Sequence, residues 1–308
     1  MRIAVLAAGG VGAYFGARLA AAGHDVHFIA RGAHLSAMRR DGLRILSIHG
    51  DLHLPHPNVT DDPAAVGPAD IVLFAVKLWD VEAAAEFARP LLGESTRLIT
   101  LQNGVDSYER VAPLVSAEHT AAGVASVASV IAEPGVIQQT SSFHAITFGR
   151  PDGRADDVLE RFAATSAKAN CIVKFSTDIQ RDRWRKFVVL TGTSGATALT
   201  RMTLGDILAD ADTRAFLRGL MQETFAVGRA EGVALEDGYV DERMAYTDAN
   251  VPRDMRTSMA HDVLRGNRLE VEWLNGHVSR LGRAHGIATP RNDTVYAGLK
   301  LLRMGAAR

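Results

Sequence analysis

The chain has 308 residues, 47% apolar and 22% charged, with a formal net charge of −1, a pI near 6.8 and a mean hydropathy of +0.02. That length accommodates two domains with separate cores, and the scattered basic residues exclude the concentrated positive field of a nucleic-acid binder. No apolar run reaches the roughly 18 residues of a membrane span, and the single cysteine, Cys171, excludes an internal disulfide and suits a reducing cytoplasm.

Arg2 and the apolar runs Ile3–Leu6 and Leu19–Ala22 faintly mimic a secretion signal, but Gly9, Gly10, Gly12, Gly16 and Arg18 interrupt it. Arg2–Ala7 reads instead as a buried strand, and Gly10–Ala22 as an alanine-rich helix ending at Gly23. Strands are expected at Asp25–Ala30, Ile71–Val76 and Arg97–Leu101, with a helix from Val81 capped by Asp80. The stretch HGDLHLPHP reads as a β-hairpin. Strands alternating with helices imply crossover connections and a parallel sheet, and runs such as IVLFAV fit a sheet covered on both faces.

From His119 to Phe148 the pattern turns β-rich, broken at Glu133-Pro134-Gly135, and predicts a hairpin or meander added to the sheet edge. A helix at Asp156–Ala169 and a strand at Cys171–Phe175 complete this half. Beyond about Asp178, RDRWRKFVVLTGTSGATAL, DTRAFLRGLMQETFAVGRAEG and EVEWLNGHVSRLGRAHG all show helical apolar spacing. The boundary falls near Ser176–Ile179.

The first strand runs into LAAGGVGAYFG. A dinucleotide loop asks for G-x-G-x-x-G; here Ala7, Gly9 and Gly12 fill the three slots. The first slot serves the turn, the second the approach of phosphate and the third helix–strand packing, so Ala7 affects only the turn. At negative φ its methyl costs little; in left-handed geometry it costs roughly 1–2 kcal/mol. Unpaired N–H groups at the helix start suit a pyrophosphate, and the loop is expected to bind a cofactor through Ala7, Gly9, Gly10, Val11 and Gly12. A glycine-rich turn without a ligand is the plainer alternative. The second strand, DVHFIA, ends in Arg31-Gly32, where NAD-binding folds place Asp or Glu for the ribose 2′-hydroxyl. Arg31 suits a 2′-phosphate, so NADPH is the expected cofactor. The fold is therefore expected to be α/β: residues 1–177 an NADP-binding Rossmann-type domain, and residues 178–308 an all-helical domain.

VGAYFGARLA, IARGAHL, AVKLWD, LQNG, RWRKF, TSM and LEVEWLNGHVSRLGRAHGIATP occur in this order. Together they resemble the ketopantoate reductase (2-dehydropantoate 2-reductase) family over almost the whole chain. The resemblance implies an NADPH-dependent reduction of a 2-keto acid to a 2-hydroxy acid, most plausibly ketopantoate to pantoate in pantothenate and coenzyme A biosynthesis. It further implies that Lys186 is the catalytic lysine, that Glu270 holds the hydroxyl end of the substrate and that Ser258 binds substrate. Asn103 would lie near nicotinamide and substrate, and Lys77 at the cofactor end. Each has a plain structural alternative: a charged helix start, a solvated helix residue, a helix cap, an Asn-Gly turn and a surface lysine.

One departure concerns the substrate. Family enzymes acting on ketopantoate commonly carry asparagines four and eight residues after the lysine, on the same helix face; here those positions are Leu190 and Ser194. Ser194, with Thr193 beside it, could still hydrogen-bond a substrate. Gly192 and Gly195 weaken that helix by roughly 1 kcal/mol each and imply close approach of substrate or of another helix. His49, His53 and His56 lie close in sequence without a complete ligand set, and no metal site is expected. Asp61-Asp62 reads as a cap before Pro63. A reductase of a different 2-keto acid, or an NADP-binding module without activity, remains open. So does a homodimer. The expected partner is a small 2-keto acid; neither nucleic acid nor membrane is expected.

Overall fold

The computed structural model describes residues 1–305, and the chain divides into two compact units, Met1–Ile179 and Gln180–Arg308. The first unit opens with β1 (Arg2–Leu6), α1 (Gly10–Ala21), β2 (Asp25–Ile29), α2 (Gly32–Asp41), β3 (Leu43–Leu46), β4 (Leu52–Leu54) and β5 (Asn58–Thr60). It continues through β6 (Ile71–Phe74), α3 (Val81–Phe87), β7 (Arg97–Thr100), α4 (Ser107–Val115) and β8 (Thr120–Ser126). It ends with β9 (Ser129–Glu133), β10 (Val136–Gln139), β11 (Ala145–Gly149), α5 (Asp157–Thr165) and β12 (Ile172–Phe175).

Eight strands form one sheet in the order β12-β11-β8-β7-β6-β1-β2-β5. Every neighbouring pair is parallel except β8 and β11. All four residues of β6 are buried, as a strand with helices on both faces requires. The expected β-rich addition splits in two. β11 joins the sheet beside β8, but the β9–β10 hairpin does not lie on that edge. It pairs with β3, which forms a hairpin with β4, giving a second sheet in the order β4-β3-β10-β9. The reason lies in α1, whose Ala13, Tyr14, Phe15, Ala17 and Leu19 are all fully buried. A helix apolar all round needs cover on both sides, and Leu43, Ile45 and Ile137 of the second sheet complete its core cluster.

Beyond β8 the sheet is fastened by a buried ion cluster. Asp156 caps α5 through the N–H groups of Val158 and Leu159. Its carboxylate also accepts from Arg97 at 2.7 Å and from Arg150 at 2.8 and 2.6 Å.

The second unit is helical: α6 (Ile179–Thr200), α7 (Leu204–Ala209), α8 (Ala211–Ala230), α9 (Tyr239–Asn250), α10 (Ser258–Arg265), α11 (Asn275–Ala284) and α12 (Pro290–Lys300). The glycines inside α6 serve close packing of neighbouring helices. A Cβ on Gly192 would lie 2.5 Å from Met221 Cγ of α8, and one on Gly195 2.8 Å from Asn275 Nδ2 of α11. The expected helix over EVEWLNG begins later: Glu270 precedes a tight turn, and α11 opens only at Asn275. That turn is closed by Trp273 and Leu274 N–H donating to the Glu270 carbonyl.

Candidate active site

β1, β2, β6 and β7 are adjacent and parallel, so their carboxyl ends share one edge of the sheet. That edge gathers the loop after β1, Arg31 after β2, Lys77 after β6 and Asn103 after β7, where ligands of such sheets bind. Ala7 has φ +66, in the left-handed region. The turn that the first glycine usually makes is therefore kept, with alanine bearing its strain of about 1–2 kcal/mol, and Gly9 N–H donates to the Ala7 carbonyl at 2.8 Å.

The two remaining slots behave as their places require. A Cβ on Gly9 would meet nothing within 4 Å, leaving open space over the loop. One on Gly12 would lie 2.6 Å from the Ala7 carbonyl oxygen and 2.9 Å from Val5 Cγ1. The first helical bond of α1 runs from Ala13 N–H to the Gly9 carbonyl (2.8 Å), so Gly10, Val11 and Gly12 N–H have no acceptor within the helix. No acidic residue occupies the first turn. Open space, N–H groups at the helix start and the absence of local negative charge fit a pyrophosphate. Gly10 has a different task, hidden in the sequence: a Cβ there would run into the Ser129 carbonyl of β9.

Arg31 is exposed at the N-cap position of α2, with its guanidinium 5.0 Å from the centre of the Phe87 ring. Lys77 is exposed beside Trp79, its ammonium 5.5 Å from that ring. Asn103 is half-buried, and Gly104 after it has φ +95, as an Asn-Gly turn requires. Sequence reasoning missed Gln102. Its buried amide donates to the Phe74 carbonyl at 2.7 Å and ties the end of β6 to the segment that carries Asn103. The LQNG motif held that signal.

In the helical unit, Lys186 lies about two turns inside α6, and Glu270 immediately precedes the turn before α11. Glu270 is 7% exposed. Burial pushes the Lys186 ammonium down to about 8, while the charge of Glu270 acts to raise it. The fold thus couples these two residues electrostatically across 84 positions of sequence (270 − 186). Ser258 is exposed at the start of α10, after Thr257, whose hydroxyl accepts from Ala260 N–H. Thr257 also bonds Thr197 of α6 at 2.9 Å, which anchors that start to the helix carrying Lys186. Leu190 is partly exposed. Ser194 is fully buried, and its hydroxyl has no hydrogen-bond partner among the described residues.

The three histidines of HGDLHLPHP separate. His49 stacks on His144 with ring centres 3.8 Å apart, His53 pairs with the Asp41 carbonyl, and His56 is exposed. Asp62 caps the 3-10 turn at Pro63 through Ala64 N–H (2.9 Å).

The architecture defines a class: a Rossmann-type α/β unit followed by a helical unit. The family model "Ketopantoate reductase PanE/ApbA" matches residues 3–153, and its C-terminal counterpart matches residues 178–303. A 2-dehydropantoate 2-reductase of Mesorhizobium japonicum is 30% identical, the match covering 98% of each chain. The crystal structure of a 2-dehydropantoate 2-reductase from Geobacter metallireducens superposes with a TM-score of 0.91 at 35% identity, over 98% of this chain and 99% of that one. A D-mandelate dehydrogenase solved with NADH and anilino(oxo)acetate shares the fold (TM-score 0.89) at 19% identity over 98% of each chain. The chain belongs to the ketopantoate reductase family.

Proposed function

We propose that this protein reduces 2-dehydropantoate (ketopantoate) to pantoate with NADPH, as a cytoplasmic enzyme of pantothenate and coenzyme A biosynthesis. The observation that carries this reading is the half-buried Lys186, electrostatically coupled to Glu270, with its ammonium held at about 8. A general acid works best when its pKa lies close to the operating pH. When bound, NADPH supplies a hydride to the keto carbon. Lys186 then stabilises the oxyanion growing on the former carbonyl oxygen and donates its proton there, leaving a neutral amine that solvent reprotonates. Glu270 supports the ammonium form of Lys186 and orients the substrate hydroxyl.

In the same reading Ala7, Gly9, Gly10, Val11 and Gly12 hold the pyrophosphate, and Arg31 pairs with the 2′-phosphate. Lys77 and Asn103 hold the nicotinamide end. Asn103 and Ser258 bind the keto acid, and the unmet hydroxyl of Ser194 supports a role as donor to a substrate oxygen.

A second reading changes the substrate. Leu190, one turn beyond Lys186 on the same face and partly exposed, offers no hydrogen bond where ketopantoate reductases commonly carry asparagine. NADPH oxidation across a panel of 2-keto acids decides between the two. Ketopantoate as the preferred substrate supports the first reading. A clear preference for a keto acid with an apolar side chain overturns it in favour of the second, and tight NADPH binding without any turnover overturns both.

A further inference from the structure

After α12 the chain folds back, and Leu269 N–H donates to the Arg303 carbonyl at 2.9 Å. Between this return and the Arg268–Trp273 segment lies a cavity of about 270 Å³, bounded by Arg268, Glu272, Trp273, Tyr296, Lys300 and Arg303. Its walls combine two aromatic rings with three cations and one carboxylate. The carboxylate is already engaged: Tyr296 Oη donates to both Glu272 oxygens (2.8 and 2.9 Å), and Arg280 pairs with it at 3.4 Å. Lys300 and Arg303, by contrast, pair with no carboxylate among the described residues. The Lys300 ammonium lies 5.4 Å from the centre of the Tyr296 ring, and Arg303 Nη1 donates to the Lys300 carbonyl at 3.1 Å.

We propose that this cavity binds a small aromatic anion, its ring against Trp273 and Tyr296 and its charged group on Lys300 and Arg303. Aromatic walls with a few convergent charges are the usual make-up of a small-molecule site. The volume is just below the range of about 300–1,000 Å³ typical of drug-sized ligands, which fits one substituted ring. An ammonium and a guanidinium supply charge-assisted bonds to a phosphate or carboxylate. The segment forming one wall also carries Glu270, so an occupant would brace the Glu270 turn. That regulatory consequence rests on the reductase reading, whereas the binding does not.

The test titrates phenyl phosphate into the intact protein without NADPH or keto acid, read by calorimetry and tryptophan fluorescence. Inorganic phosphate and benzyl alcohol provide the charge and the ring separately. The expected result is that phenyl phosphate binds about tenfold more tightly than either control. The Lys300→Ala, Arg303→Ala double variant, whose exposed positions leave the melting temperature unchanged, weakens it at least about tenfold. Arg31→Ala leaves it intact, and Trp273→Phe removes the fluorescence change but not the heat. Absence of binding, binding unaffected by the double variant, or binding lost in Arg31→Ala would overturn the proposal. Failure of every 2-keto acid as substrate would leave this result untouched.

Discussion

Glu270→Gln isolates one of the two influences on Lys186. Burial pushes the ammonium from 10.5 to about 8, against the pull of the Glu270 carboxylate. Glutamine keeps the shape and removes the charge, so burial then acts alone. An opposite charge nearby favours the charged form, so without it Lys186 falls below its value of about 8. For a general acid, kcat/KM of keto acid reduction stays level while the lysine is protonated. It then drops about tenfold for each pH unit above the pKa. The wild type should therefore decline from about pH 8 and Glu270→Gln from a lower pH, with the opposite dependence for 2-hydroxy acid oxidation. NADPH absorbance followed from pH 6 to pH 10 measures both limbs. Limbs that coincide, or a variant limb at higher pH, would refute the coupling. Stability follows the same group. The unfolded lysine keeps its proton to about 10.4, so above pH 8 the unfolded chain binds more protons than the folded one. Lys186 therefore makes stability rise with pH between about 8 and 10.4, and its full burial cost is present below 8.

Three further outcomes are expected. Ala7→Gly relieves a left-handed alanine (about 1–2 kcal/mol) against the added chain entropy of glycine (about 0.5–1 kcal/mol). It should stabilise the protein by up to about 1.5 kcal/mol in thermal melts, and a lower melting temperature would show that the +66° geometry carries no strain. Arg31→Ala should raise KM for NADPH at least about tenfold with little change for NADH, as loss of a charge-assisted phosphate contact requires; equal effects on both cofactors would remove Arg31 from the 2′-phosphate. Asp156→Asn should cost up to about 3–5 kcal/mol in denaturant melts, because it removes the buried carboxylate shared by Arg97 and Arg150 and leaves Arg150 only the exposed Glu118 at 3.9 Å. Burial alone would raise Asp156, but Arg97, Leu159 N–H and Arg150 hold it below the usual carboxylate range. Its contribution is thus present at neutral pH and lost as pH falls through that lowered value, a loss that Asp156→Asn should abolish.

The sequence made the sheet legible where periodicity alone decides. β1, β2, β6 and β7 fall where their apolar runs lie, and with them the edge that gathers Gly9, Arg31, Lys77 and Asn103. Pairing partners were harder to read. Nothing local in residues 129–139 says that they pair with Leu43–Leu46 rather than with the main sheet; that choice follows from the need to cover α1. Ala7 could be assigned a slot but not a φ, since an alanine in a turn adopts either hand at modest cost. Lys186 and Glu270 were nameable by their motifs, while their electrostatic coupling exists only once α6 and the turn before α11 are packed. Gln102 went unnoticed because its role is a single bond to the end of a neighbouring strand.

The most direct test of the central claim compares the wild type with Lys186→Ala in NADPH-dependent ketopantoate reduction. The account predicts turnover by the wild type and a loss of kcat by a factor of about 10²–10⁴ in the variant, the range for removing a general acid, with NADPH affinity unchanged. Full activity in Lys186→Ala would contradict it.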